Sequence, residues 1–145
     1  MSSTSTRSFL LYPAAVAFEQ RLSRRPLRVR WIPLLAVGYA QYRLAGEYRK
    51  RLGGGGPGMS NPPESLVTSG IYAFTRNPMY LGHLVFLAGL ALSTRSPLAA
   101  AIFVGSVPWF NARAAADEKQ LEARFGHEYR TYGAGVPRWL PLLSQ

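Results

Sequence analysis

The sequence predicts an all-α protein, an integral membrane helical bundle of about four helical segments in which a C-terminal transmembrane hairpin is followed by an amphipathic helix. Three observations carry the prediction. Residues 77–94 and 96–112 contain no formal charge and are separated by Arg95 alone. At about 1.5 Å per helical residue, each reaches across most of a hydrocarbon layer roughly 30 Å thick. Pro97 stands where the second helix of such a pair would begin, a position at which its missing amide costs little. Finally, ten of the 17 Lys and Arg fall within the first 51 residues, against only Glu19 and Glu47, and they flank apolar blocks as membrane-bordering arginines do. The competing reading is a soluble helical protein whose hairpin is simply its core.

Residues 1–6 form a Ser/Thr tail with the composition of a disordered terminus. The apolar block 8–18 follows Arg7 and ends near Ala15, Val16 and Ala17, much as a leader would. It is short, contains Pro13 and is followed at once by Glu19 and Arg21, so retention is expected rather than cleavage. Residues 31–42, extendable to Gly46, form a second block. Neither block reaches the 20 or so residues of a full span, and arginines flank the second on both sides, so one of the two is expected to lie in the interface. Residues 39–52 mix apolar positions with Arg43, Glu47, Arg49, Lys50 and Arg51, the pattern of a helix leaving the membrane among headgroups.

Gly53 to Gly56, Pro57 and Gly58, followed by Asn61, Pro62 and Pro63, make residues 53–65 a loop, either a linker or a mobile lid. The hairpin comes next, and beyond Pro108 its second helix runs on through Asp117 and Leu121 to Phe125, where Gly126 supplies a C-cap. Tyr129 and Tyr132 then occupy a short helical turn before Gly133, and residues 136–141 place Trp139 at the interface beside Arg138. The whole reads as one domain, 1–145, made of N-terminal helices (1–52), the loop (53–65) and the hairpin with its C-terminal helix (66–145).

Several function classes fall away. The absence of Cys removes disulfides, thiolate metal sites and Cys nucleophiles. A net charge of +10 would suit nucleic acid, yet the basic residues are interleaved with apolar blocks and no nucleic-acid motif is present. No metal is expected.

The chemistry-bearing strip is residues 66–82. Gly70 permits close backbone approach, Tyr72 and Tyr80 supply aromatic faces with hydroxyls, and Arg76, Asn77 and Pro78 open a helix whose first amides are free donors at its positive end. Such an end suits a carboxylate. Further on, Arg113 and Asp117 share one helix face at i, i+4, as do Leu121 and Phe125 on another. Gly82 and Gly89 permit close helix packing. His83, on the face of Tyr80, is either functional or packed against Asn77 or a carbonyl, and His127 is a solvated helix-end residue.

These motifs taken in order, LVTSGIY at 66–72, RNPMYLG at 76–82, Asp117-Glu118 with Leu121, Phe125-Gly126 with Tyr129 and Tyr132, and Pro137-Arg138, resemble the isoprenylcysteine carboxyl methyltransferase and phospholipid N-methyltransferase superfamily. The likeness covers roughly residues 64–141. It implies methyl transfer from S-adenosylmethionine, with the cofactor held between the loop before the hairpin and the helix after it. By that likeness Leu66, Val67, Tyr72, Asn77, Pro78, Met79, Tyr80, Asp117 and Glu118 are cofactor-binding positions, and Arg113 and Tyr80 are catalytic ones, Arg113 holding the polar group of the acceptor. Asn77 stands where the family has His, which removes a His general base from that position. Asp117 stands where the family has the first of two Glu, so the resemblance leaves open which acid meets the cofactor.

The implied function is methylation of a carboxylate or amine on a small amphipathic or lipid-like acceptor at the membrane interface, with the bilayer as partner and no nucleic acid. The implied location is a bacterial inner membrane with the cofactor site facing the cytoplasm. Two alternatives accompany it: an NADPH-dependent membrane reductase similar to sterol and steroid reductases, and a non-catalytic relict of the fold.

Overall fold

The computed structural model describes residues 3–55 and 61–140, and among them helices are the only regular secondary structure. The chain opens with α1 (Ser3–Thr6), a π-helical turn (Arg7–Leu11) and α2 (Tyr12–Ser23). These form one helical stretch, because Thr6, Leu11 and Tyr12 all keep right-handed helical angles. The Ser/Thr tail expected to be disordered is therefore helical from Ser3, while residues 1 and 2 lie outside the described residues. Packing overrides composition there: Ser5 is buried, and its hydroxyl lies 2.5 Å from that of Tyr42.

A 3-10 turn (Val29–Trp31) leads into α3 (Ile32–Gly53), which carries Pro33 in its first turn. The loop that follows has its centre, residues 56–60, outside the described residues, which leaves the choice between linker and lid there. Its ends are fixed: the amides of Glu64 and Ser65 donate to the Gly53 carbonyl at 2.7 and 3.0 Å, and Arg124 Nε donates to the Pro63 carbonyl at 2.7 Å. After a second 3-10 turn (Gly70–Ala73) come α4 (Pro78–Thr94), α5 (Pro97–Phe125) and α6 (His127–Gly135).

The hairpin expected of residues 77–112 is present as α4 and α5. Its turn is short because Arg95 adopts the left-handed conformation, φ 55°, and Ser96 caps α5 by accepting from the Ala99 amide at 3.1 Å. The same hydroxyl donates to Glu19 at 2.6 Å, tying the turn to α2. α5 continues through Pro108 to Phe125 and ends on Gly126, as its sequence predicts. α6 runs two residues past Gly133, to Gly135.

α3 and α4 pack backbone to backbone. A Cβ on Gly82 would sit 2.7 Å from the Gly38 carbonyl oxygen, one on Gly38 would sit 2.4 Å from the Phe86 nitrogen, and one on Gly89 would sit 2.8 Å from Leu34 Cβ. Gly82 and Gly89 thus serve close packing as expected, with Gly38 as the partner on α3. Val16, Leu87, Leu90, Ala99 and Phe110 form the apolar core between α2, α4 and α5. Beside it His83, 2 % exposed, is enclosed by rings: Phe9 at 4.7 Å, Tyr42 at 4.9 Å and Phe110 at 5.0 Å between centroids. His83 therefore packs among aromatics rather than against Asn77.

Among the described residues, no helix is long and apolar enough to cross a membrane. α4, the most apolar, has 17 residues, and the longer α3 and α5 carry charges along their C-terminal halves.

Candidate functional site at the open end of the hairpin

Because α5 does not stop at the end of its apolar half, its polar half stands beside the segment that leads into α4. The chain after α6 closes the third side. Arg76 donates its amide to the Pro137 carbonyl at 2.9 Å, and the Arg138 carbonyl accepts from Thr75 Oγ1 at 3.1 Å and from Asn77 Nδ2 at 3.2 Å.

Glu118 holds this junction together. Its carboxylate receives Arg138 through two nitrogens, Nε at 3.0 Å and Nη2 at 2.9 Å. Arg76 Nη1 approaches at 3.4 Å and Asn77 Nδ2 at 3.3 Å. A bidentate guanidinium contact of this kind is strong and directional, and it holds the Arg138 charge above its ordinary range. Arg138 also donates to Asn111 Oδ1 at 3.1 Å, an oxygen shared with Trp139 Nε1 at 3.1 Å. Arg138 and Trp139 are thus bonding partners of Asn111 on α5.

Asp117, one residue earlier, points elsewhere. The Tyr80 hydroxyl donates to its carboxylate, and Arg113, one turn before it, has its pKa raised by the neighbouring Tyr80 and Asp117. Among the described residues Arg113 and Asp117 form no ion pair; the Asp117 carboxylate is bonded to Tyr80 instead. Arg113 is exposed and also lies over the Trp109 ring, 5.9 Å from its centroid.

A cavity opens between these elements. Of the residues expected to bind a cofactor, Leu66, Val67, Tyr72, Asn77, Pro78, Met79, Tyr80 and Asp117 line it. Glu118 and Arg113 do not. The strip and the acid are separated by the entire hairpin in sequence and meet because the hairpin folds back. The free amides of the first turn of α4 belong to residues of this lining.

The aromatic floor is held rigidly. Tyr132 donates to the Tyr72 carbonyl at 2.7 Å and Tyr72 to that of Ala45 at 3.4 Å. Burial pushes the Tyr72 hydroxyl up to about 12, with Arg49 opposing the shift. Tyr132 is pushed up too, by burial first and then by Tyr129 and Tyr72. Gly70, at φ 61°, lets the strip pass against Tyr48, whose ring carbon would lie 2.8 Å from an added Cβ. An L side chain there would be strained and would push Tyr48 aside.

Sequence reasoning missed Arg49, Arg76, Leu121, Tyr129 and Tyr132 as lining residues. Leu121 follows Asp117 by one turn and Tyr129 and Tyr132 share a helical face, so a periodic signal existed for those three. Arg138 gave none, because its partner Glu118 lies beyond two helix boundaries. Two buried polar atoms of the lining, Arg76 Nε and the Tyr129 hydroxyl, have no hydrogen-bond partner. Such atoms are costly unless something binds them. Among the described residues no group of three His, Asp or Glu could hold a metal ion.

A helical hairpin with one acid, two guanidiniums and an apolar aromatic wall at its open end defines a class of small-ligand site. The sequence signature of the phospholipid methyltransferase family matches residues 55–128, and the chain belongs to that family. It is 33 % identical over 85 residues to a protein-S-isoprenylcysteine O-methyltransferase of Schizosaccharomyces pombe, covering 57 % of this chain and 36 % of that protein. It is 34 % identical over 81 residues to the Homo sapiens protein of the same name, covering 55 % and 28 %, and 37 % identical over 78 residues to the Saccharomyces cerevisiae one, covering 50 % and 32 %. The chain spans about a third of the length of these curated relatives. The match leaves the NADPH-dependent reductase without support.

Proposed function

We propose that this chain is a membrane-associated methyltransferase that uses S-adenosylmethionine to methylate a carboxylate on a small amphipathic or lipid-like acceptor. The observation that carries the reading is the convergence of residues 66–80 and Asp117 on one cavity, in a chain whose relatives are named protein-S-isoprenylcysteine O-methyltransferases.

The lining suits the cofactor's chemistry. Leu66, Val67, Met79 and Leu121 offer apolar contact and Tyr72 an aromatic face for a purine. Asp117 offers an acceptor for hydroxyls or an ammonium, and Arg76 Nε with the neighbouring Tyr129 hydroxyl offers donors for a carboxylate. When bound, the cofactor supplies a methyl group already activated by its sulfonium. The chain's own residues then have to align and exclude water rather than move protons. In this reading Arg113 orients the acceptor carboxylate, Tyr80 couples that guanidinium to Asp117, and Glu118 keeps Arg138 and Asn77 in register. An acceptor that is already an anion needs no base, which fits Asn77 in place of His.

The bilayer enters through the exterior. Leu10, Leu11, Phe18, Leu22, Val37, Leu44 and Val104 are all more than half exposed, apolar side chains available for contact with lipid. Detergent-solubilised protein titrated with S-adenosylhomocysteine in a calorimeter should bind it, and Asp117→Asn should weaken binding about tenfold or more, as loss of a charge-assisted bond does. Folded protein that shows no heat of binding would sink the reading. Isotope transfer from labelled S-adenosylmethionine into a lipid extract then identifies the acceptor.

A further inference from the structure

A second cavity, on the far side of Phe110 from the first, holds about 210 Å³ between the π-turn and the middle of α5. Arg7, Ser8 and Tyr12 line it from one side and Gly105, Ser106 and Trp109 from the other. Phe110, also in its wall, packs on Tyr80 at 5.4 Å between ring centroids and so stands between this cavity and the cofactor pocket.

Arg7 is the anomaly. Its guanidinium lies over the Trp109 ring at 4.4 Å, it forms no ion pair among the described residues, and its Nε is buried without a hydrogen-bond partner. A half-buried guanidinium with unused donors is costly unless an anion meets it. The lining supplies no anion, only hydroxyls and apolar surface. The stack on Trp109 fixes the orientation of the fork, and a π-turn widens the helix where Arg7 leaves it, a feature common at binding sites. On both framing elements the neighbouring side chains are apolar and bare: Leu10 and Leu11 after Arg7, Val104 and Val107 around Gly105. An added Cβ at Gly105 would meet nothing within 4 Å.

We propose that this cleft binds a single-chain anionic amphiphile, with Arg7 pairing to its phosphate or carboxylate head and the chain lying along Leu11, Gly105 and Val104. The cleft shares Trp109 with Arg113, but its anion binding through Arg7 is argued from its own lining and holds whether or not the cofactor reading stands.

The test uses the full chain in a non-ionic detergent, titrated with dodecyl phosphate, dodecanoate and the uncharged dodecyl maltoside. At least one anion should bind about tenfold or more tightly than the neutral amphiphile; the stronger of the two anions identifies the head as a phosphate ester or a fatty-acid carboxylate. Arg7→Gln should abolish the preference, and Gly105→Leu, which fills the cleft and leaves the charge, should abolish binding of both anions. Helicity by circular dichroism, rather than cofactor binding, reports folding. If Arg7→Gln fails to fold, Gly105→Leu alone decides, since its added side chain enters open space. Equal binding of neutral and anionic amphiphiles, an undiminished preference in Arg7→Gln, or intact anion binding in Gly105→Leu would each overturn the proposal.

Discussion

The two ends of the α4–α5 hairpin use the same device for different purposes. At the closed end Glu19 accepts from Ser96 and pairs with Arg25, and its side chain is 29 % exposed. At the open end Glu118 is 11 % exposed and gathers Arg138, Arg76 and Asn77. A half-exposed pair near a tight turn adds little, because water still reaches both partners. A buried carboxylate that holds two guanidiniums from different segments instead fixes where those segments go, and removing it strands the charges. The closed end is therefore a fastening, whereas the open end is a scaffold for a cavity.

The largest expected effect breaks the scaffold. Glu118→Ala should cost about 3 kcal/mol in denaturant unfolding, near the low end for a broken buried pair because Arg138 remains partly solvated. A cost no greater than that of a surface substitution would remove the distinction between the two ends.

Alkali probes the same end by another route. Tyr72 is raised from 10.0 to about 12 in the folded protein. Its contribution is complete below pH 10, where both states keep the proton, and is lost as pH rises through 12, because the unfolded chain ionises first. Stability should thus be flat with respect to this group up to pH 10 and then fall, with the tyrosinate absorbance of the buried residues appearing late. Tyr72→Phe should flatten the alkaline limb, and an unchanged limb would show that Tyr72 is not held as described.

Gly82→Ala tests the seam that aligns the two ends. Ala is the better helix former, so any loss is steric. The contact 2.7 Å from the Gly38 carbonyl predicts a net cost of about 1–2 kcal/mol in the same unfolding assay. A gain in stability would mean that α3 and α4 can separate freely. Glu19→Gln should give the smallest change of the four. Hydrogen bonds from Ser96 and then Arg25 lower the Glu19 pKa, so its contribution is present above the ordinary carboxylate range and lost on acidification. The difference between wild type and variant should shrink as pH falls.

Much of this contrast was legible in the sequence. The hairpin, its turn at Arg95, the run of α5 through Pro108 and the Gly126 stop follow from charge spacing, a proline at a helix start and a glycine at a helix end, all local signals. That residues of the 66–80 strip and Asp117 would line one cavity was legible through motif order, which grouped Glu118 and Arg113 with them although neither lines it. What escaped were relations across elements: Ser5 drawn into a helix by Tyr42, Gly38 opposite Gly82, and Arg138 on Glu118.

The sequence by itself determined the helices of the hairpin and their apolar faces, because backbone sterics and side-chain periodicity act within a few residues; the helix at Ser3–Thr6 was decided by packing. Only the tertiary structure decided what Asp117 and Glu118 each do. They are adjacent in the chain, but successive residues on a helix point about 100° apart. That rotation turns Asp117 toward Tyr80 and the cavity, and Glu118 toward Arg138 and the interior. No pattern in the chain distinguishes the two acids; the position of the last turn after α6 does.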